Sequence, residues 1–157
     1  MLEFCGQDYC SIDAHGRLKL SPRLIDNFLN RCNGEVVLHC LPEGAIALYP
    51  EEVFQQIRKD EMSSLNQVGS SALFRRSLRR FGALSLPDTI SKQGRLTIPP
   101  PFREYAELGP GTEAVVVGIE IGAEIWNLNR WKKEMELLNS HLAAKAEEEM
   151  AMDLERR

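Results

Sequence analysis

The chain states one pattern twice. Ile12, Gly16, Arg17, Leu18 and Pro22 recur as Ile90, Gly94, Arg95, Leu96 and Pro100, at a constant offset of 78. On that offset Glu35 and Val37 match Glu113 and Val115, and Gly44-Ala45 matches Gly122-Ala123, so the spacing is expected to run on without a gap. A repeat of fixed spacing implies two copies of one small fold with an internal two-fold, and 157 residues fit one domain or two small ones that share a core. Such symmetry suits a binding protein facing a repetitive partner better than an enzyme with one asymmetric site.

Each copy reads as α+β. Arg17-Leu18-Lys19-Leu20 and Arg95-Leu96-Thr97-Ile98 alternate, as half-buried strands do, with Leu18 and Leu20 inward and Arg17 and Lys19 outward. Ser21-Pro22 opens a helix through Phe28, with proline at the first helical position, where its missing N–H costs little. Pro99-Pro100 opens the matching helix, and Gly109 is expected to end it. Further strands are expected at residues 36–40 and 114–118, and at 46–49 and 124–126. A helix closes each copy. The first starts near Glu51 and buries Val53, Phe54 and Ile57; the second starts near Asn129 and buries Trp131, Met135 and Leu138. The acidic residues 145–157 are expected to fray or stay disordered.

Between the copies lies a segment without a counterpart. The Ser-rich residues 62–71 read as a loop. Residues 72–81 read as a helix with Phe74, Leu78 and Phe81 on one stripe and Arg75, Arg76, Arg79 and Arg80 opposite. The expected organisation is therefore a first repeat at 4–60, an Arg-rich linker at 61–81, a second repeat at 82–138 and an acidic tail at 139–157. Net charge is −4, yet residues 72–103 hold seven basic side chains against the single acid Asp88. An acidic chain with one basic segment is suited to bind nucleic acid on one face only.

The sharpest motif is the pair of turns Asp13-Ala14-His15-Gly16-Arg17 and Ser91-Lys92-Gln93-Gly94-Arg95. Glycine supplies the positive φ of a tight turn entering a strand. Asp13 is short enough to hydrogen-bond the turn backbone and to orient Arg17. Each arginine leaves its turn on the exposed face, where its planar fork fits phosphate or the guanine edge. One such turn is most simply a strand start with a surface arginine; two at one offset favour a recognition role. The cysteines Cys5, Cys10, Cys32 and Cys40 all lie in the first copy and form no CxxC pair. No metal, cofactor or disulfide is therefore expected, even with His15 and His39 available.

These residues meet a known pattern. Phe4-x-Gly6, the turn from Ile12 to Arg17, the run from Ser91 to Pro99 and Glu124-Ile125-Trp126 followed by Trp131 closely resemble the MraZ family of bacterial transcriptional regulators, over residues 1–138. The resemblance implies two tandem swapped-hairpin, AbrB-like half-domains interleaved as an intrachain pseudo-dimer. It also implies ring-like homo-oligomers that bind short direct repeats in double-stranded DNA upstream of division and cell-wall genes. The family's Asp-x-x-x-Arg motif falls on Asp13 and Arg17. In the second copy Ser91 replaces the aspartate and Arg95 remains, while His15 stands where the family usually has lysine. The basic load is thereby shifted toward Lys92 and Arg95.

The expected function is a sequence-specific DNA-binding regulator, cytoplasmic and nucleoid-associated, with no membrane and no small-molecule substrate. Its DNA-binding residues are expected to be Asp13, His15, Gly16, Arg17, Lys92, Gln93, Gly94 and Arg95. An antitoxin of the same fold is the alternative, disfavoured by the tandem copies and the short acidic tail. An enzyme is disfavoured because no nucleophile–base set, metal cluster or phosphate loop is present.

Overall fold

The computed structural model describes residues 2–66 and 71–156. The chain divides into two compact units, Met1–Asn127 and Leu128–Arg157. The first begins with β1 (Gln7–Ser11), β2 (Arg17–Lys19), α1 (Pro22–Cys32), β3 (Glu35–Cys40), β4 (Ile46–Pro50) and α2 (Glu51–Asn66). After α3 (Ala72–Ala83) the series returns as β5 (Ser85–Thr89), β6 (Arg95–Thr97), α4 (Pro100–Ala106), β7 (Glu113–Gly118) and β8 (Ala123–Asn127). The second unit is α5 (Leu128–Glu155).

The copies interleave. Six strands form one sheet in the order β1-β7-β8-β4-β3-β5, so each copy lends its first strand to the other copy's hairpin. The registers agree: Ser11 faces Glu113, and Thr89 faces Glu35, which is the same pair read from the opposite copy. β2 and β6 leave this sheet and, among the described residues, pair only with each other, placing Leu18 opposite its own counterpart Leu96. That pair lies on the internal two-fold. The arrangement is a swapped-hairpin pseudo-dimer within one chain.

One expectation fails by a single residue. Val36 pairs with Pro50 in the first hairpin, and Ala114 pairs with Asn127 in the second, so the offset falls from 78 to 77 across the turn. The first turn closes from the Leu41 N–H to the Ala45 carbonyl, the second from the Ile119 N–H to the Gly122 carbonyl. The similarity of Gly44-Ala45 to Gly122-Ala123 hid this gap. On the gapless offset the buried Ile46 would match Glu124; on 77, Ile46 and Leu48 match Ala123 and Ile125, all in the core. A hairpin turn absorbs a lost residue cheaply, whereas a one-residue slip of a buried strand reverses its faces. Ala47 then faces its own counterpart Glu124, a second pair on the two-fold.

The core draws on both copies. Leu18, Leu20, Leu24, Ile25 and Phe28 pack with Leu96, Ile98, Phe102, Ala106 and Leu108 against Val36, Leu38, Ala114 and Val116. Strand alternation turns Val37 and His39 of β3 to the other face. There His39 is 2% exposed, with its ring centroid 5.3 Å from that of Phe81 in α3 and 5.5 Å from that of Phe54 in α2.

Helix boundaries follow local chemistry. The Ser21 hydroxyl caps α1 by accepting from the Leu24 N–H, and Pro22 starts it. α4 ends at Glu107, in the left-handed region at φ 54°, before the expected Gly109. The Leu108 N–H reaches back to the Arg103 carbonyl, so the chain turns early and buries Leu108. Residues 62–66 continue α2 instead of forming a loop, and residues 67–70 of that expected loop lie outside the described residues. Ser71 caps α3, which runs two residues past the expected end. On its stripe Phe81 is buried and Phe74 half-buried, but Leu78 is exposed. Of the α2 residues expected inside, Phe54 is buried, and Val53 and Ile57 are half-buried. β1 and β5 were not legible as strands, since neither alternates cleanly and β5 contains Pro87, tolerated because β5 is an edge strand.

α5 spans 28 residues. It continues through the acidic tail to Glu155, because Ala, Glu, Lys, Met and Leu dominate that stretch and all are strong helix formers. Trp131 and Met135 are half-buried, but Leu138 is 46% exposed, not inward as expected. Periodicity marks a face without supplying a cover for it. Among the described residues no helix is long and apolar enough to cross a membrane, and no group of three or more His, Cys, Asp or Glu is placed to hold a metal. All four cysteines are free thiols.

Candidate nucleic-acid interface

The two Gly-Arg turns enter β2 and β6, so the short antiparallel ribbon carries one turn at each end. Leu18 and Leu96 face the core, and alternation turns Arg17, Lys19, Arg95 and Thr97 outward. Across the ribbon Arg17 faces Thr97 and Lys19 faces Arg95. Like charges directly opposite on a strand pair repel. Among the described residues neither Lys19 nor Arg95 has a carboxylate partner. The copies also lock the turns reciprocally: the Leu20 N–H donates to the Gly94 carbonyl at 2.9 Å, and the Ile98 N–H to the Gly16 carbonyl at 3.0 Å.

The first turn is organised by Asp13. Its Oδ1 accepts from the backbone N–H of His15 at 2.8 Å and of Arg17 at 2.9 Å, while Oδ2 accepts from Arg17 Nε at 3.1 Å. The carboxyl is held below its ordinary pKa, first by the Arg17 backbone N–H, then by the His15 N–H and the Arg17 side chain. Gly16 sits at φ 76° and is buried; His15 and Ala14 are exposed. This carboxylate fixes the turn and the direction of Arg17 together.

The second turn lacks that clasp. Ser91 contributes its carbonyl, which accepts from the Gly94 N–H at 3.0 Å; no hydrogen bond from its hydroxyl occurs among the described residues. Lys92, Gln93 and Arg95 are exposed and line a groove of about 430 Å³ with Lys19, Pro22, Ile25 and Asp26. Three cations and one carboxylate thus border it. Gly94, at φ 69°, is buried beneath Ile25, whose side chain a Cβ at 94 would overlap. Gly16 lies in the same way beneath Arg103. Arg103 is the counterpart of Ile25 on the offset of 78.

The eight residues singled out from sequence therefore gather around one ribbon, as two unlike turns. Two further cations, Lys19 and Arg103, belong to the site without belonging to either Gly-Arg motif. Lys19 was legible as an outward strand residue, but its approach to Arg95 follows only from pairing between copies. Arg103 is one of the seven basic residues of the 72–103 segment, and no local pattern marks it as covering the other copy's glycine.

Known proteins share this arrangement of sequence. The family described as "MraZ protein, putative antitoxin-like" matches residues 89–153. A protein of Thermomicrobium roseum, named transcriptional regulator MraZ, is 33% identical over 136 residues, covering 86% of this chain and 89% of its own. Its namesake in Solidesulfovibrio magneticus is 31% identical over 150 residues, covering 91% and 94%. That of Nitrosomonas europaea is 28% identical over 139 residues, covering 88% and 90%. Identity at that level over nearly the whole of both chains, with the tandem AbrB-like fold in place, makes this chain a member of the MraZ family.

Proposed function

We propose that the chain is a transcriptional regulator that binds duplex DNA through the β2–β6 ribbon and its two flanking turns. The observation that carries this reading is the Lys19–Arg95 pair, two cations that face each other across an exposed ribbon with no carboxylate partner among the described residues. A fold that keeps such a pair forgoes stability, and a polyanion removes the repulsion. A two-stranded ribbon also fits the major groove, where an arginine fork reads guanine. Arg17, Arg95 and Lys92 contact DNA in this reading, Asp13 positions Arg17, and Gly16 and Gly94, buried beneath Arg103 and Ile25, supply the positive-φ backbone of the two turns.

A single ribbon covers too little surface for tight specific binding, which generally buries about 1,000 Å² or more. The working form is therefore a homo-oligomer, ring-like as the family resemblance implies, reading short direct repeats upstream of division and cell-wall genes. Repetition of the ribbon raises the effective concentration of each successive contact. The test is a titration of duplex from upstream of the chain's own coding sequence, followed by fluorescence anisotropy. Arg17→Ala and Arg95→Ala each weaken binding while the protein stays folded, as read by its melting transition. Wild-type affinity in both variants would overturn the reading, and light scattering that finds only monomer at micromolar concentration would overturn its oligomeric part.

A further inference from the structure

The first turn carries a charge problem that the second does not. Asp13 is bonded to Arg17, so the pair presents little net charge to an anion. Among the described residues no carboxylate is ion-paired with Lys92 or Arg95 of the second turn; Lys19 lies across the strand, and Asp26 is the one acid on the shared groove. Two turns serving equivalent phosphates would then be unequal, unless a cation reached the first from elsewhere.

Arg103 reaches it. This arginine belongs to the second copy, on α4, yet its side chain lies against the first copy's Gly16. The contact is tight enough that any Cβ at position 16 would overlap the guanidinium. Arg103 is only partly exposed, and among the described residues its guanidinium has no hydrogen bond and no ion pair. A partly desolvated guanidinium with unused donors is unfavourable unless water or an anion satisfies them. At the counterpart position Ile25 covers Gly94 with no polar group at all, so packing over the glycine does not require arginine.

We infer that Arg103 is a DNA-backbone contact, donated by the second copy to complete the phosphate-binding surface of the first copy's turn. The inference rests on the DNA-binding reading of the ribbon and adds to it a residue outside both Gly-Arg motifs. Each turn then receives cationic help from the opposite copy: Arg103 lies over the first, and Lys19 borders the second. The ligand is the phosphodiester backbone, so the contact contributes affinity and salt dependence without base preference.

The test uses the full-length chain and a labelled duplex from upstream of its coding sequence, titrated at several salt concentrations. Arg103→Ile installs the side chain that the second turn already carries. Loss of one phosphate contact flattens the slope of log affinity against log salt by roughly 0.9 per contact, so wild type loses about 3.5-fold more affinity than the variant over a fourfold rise in salt. Arg103→Lys restores most of the slope, and Arg58→Gln, an exposed change on α2, leaves it unchanged. Should Arg103→Ile fail to fold, Arg103→Gln, which keeps a long polar chain, replaces it in the comparison. An unchanged slope in the neutral variant, with Arg17→Ala still weakening binding, overturns the role of Arg103 and leaves the ribbon reading intact. An unchanged slope in Arg103→Ile, with Arg17→Ala and Arg95→Ala both binding like wild type, overturns the two together.

Discussion

The two Gly-Arg turns share a backbone and almost no side-chain chemistry. Both place a buried glycine at positive φ, both accept a hydrogen bond from the other copy, and both open a strand of the same ribbon. Around that shared backbone the first turn has Asp13 clasped to Arg17 and an arginine overhead. The second has Ser91, two free cations and an isoleucine overhead. The symmetric part is what folding needs: glycine, the buried leucines and the cross-copy bonds. The asymmetric part is charge, which duplication left free to diverge because exposed side chains cost the fold little.

The largest expected effect lies in the core, where the two copies are most alike. Leu18 and Leu96 face each other on the two-fold, and each is almost fully buried. Leu18→Ala and Leu96→Ala each lower stability by about 2–5 kcal/mol, and by similar amounts, because each cavity opens into the same shared core. Urea unfolding of the two variants checks this. A large inequality would show that the core is less symmetric than the pairing.

Next in size is an effect confined to one end of the sheet. His39 is buried beside Phe81 and Phe54, and its Nδ1 lies 2.7 Å from the Ser85 hydroxyl; its counterpart on the offset of 78 is the buried Val117. Burial, aided by the charge of Arg80, pushes the imidazole down from 6.5 to about 4. The unfolded chain then binds the proton more readily than the folded one. Stability contributed by neutral His39 is complete above pH 6.5 and drains away as pH falls toward 4, by up to about 3 kcal/mol. His39→Gln keeps a polar side chain there and removes that part of the acid sensitivity. Equal loss of stability between pH 7 and 4.5 in wild type and variant would place the sensitivity elsewhere.

What could be read from the sequence follows the same division. The repeat, the alternation of Leu18 and Leu20 with their neighbours, and the Ser21-Pro22 helix start are local signals with a fixed period, and each led to its element. The interleaving came from the family resemblance, because no local signal says which copy a strand pairs with. β1 and β5 were missed because edge strands such as Ser85–Thr89 tolerate proline and lack clean alternation. The one-residue gap was missed because Gly-Ala occurs in both turns by coincidence. At the candidate site Asp13, Arg17 and Arg95 were legible from spacing. Lys19 and Arg103 were not, since their importance depends on contacts between residues 76 and 87 positions apart in the chain.

The glycines sharpen the contrast. At Gly94 a methyl group meets Ile25, a branched side chain held in the core; at Gly16 it meets the end of a long, flexible arginine. Both substitutions put a non-glycine residue at positive φ, which costs roughly 1–2 kcal/mol. Only Gly94→Ala adds overpacking, worth a further 1–3 kcal/mol on the usual scale. Gly94→Ala therefore destabilises more than Gly16→Ala in chemical denaturation, and Ile25→Val recovers part of the difference. Equal costs would mean that Ile25 moves aside as easily as Arg103.

The smallest effect concerns Asp13 alone, and it separates two ways in which a turn can hold an arginine. The carboxylate is stabilised chiefly by backbone N–H groups and only secondarily by the Arg17 side chain. Arg17→Ala deletes the side-chain contribution and keeps both N–H donors. The Asp13 carboxyl should then titrate somewhat higher than in wild type but still below an ordinary aspartate, as read by carbon-detected NMR through an acid titration. Since its pKa is lowered in the fold, the turn keeps this contribution at neutral pH and loses it as pH falls through the carboxylate range. A return of Asp13 all the way to the ordinary value would make the ion pair, and not the backbone, the organiser of the turn. The second turn, which has a cation and no carboxylate, would then have lost its organiser altogether, whereas a partial return leaves the backbone turn as the common frame of both.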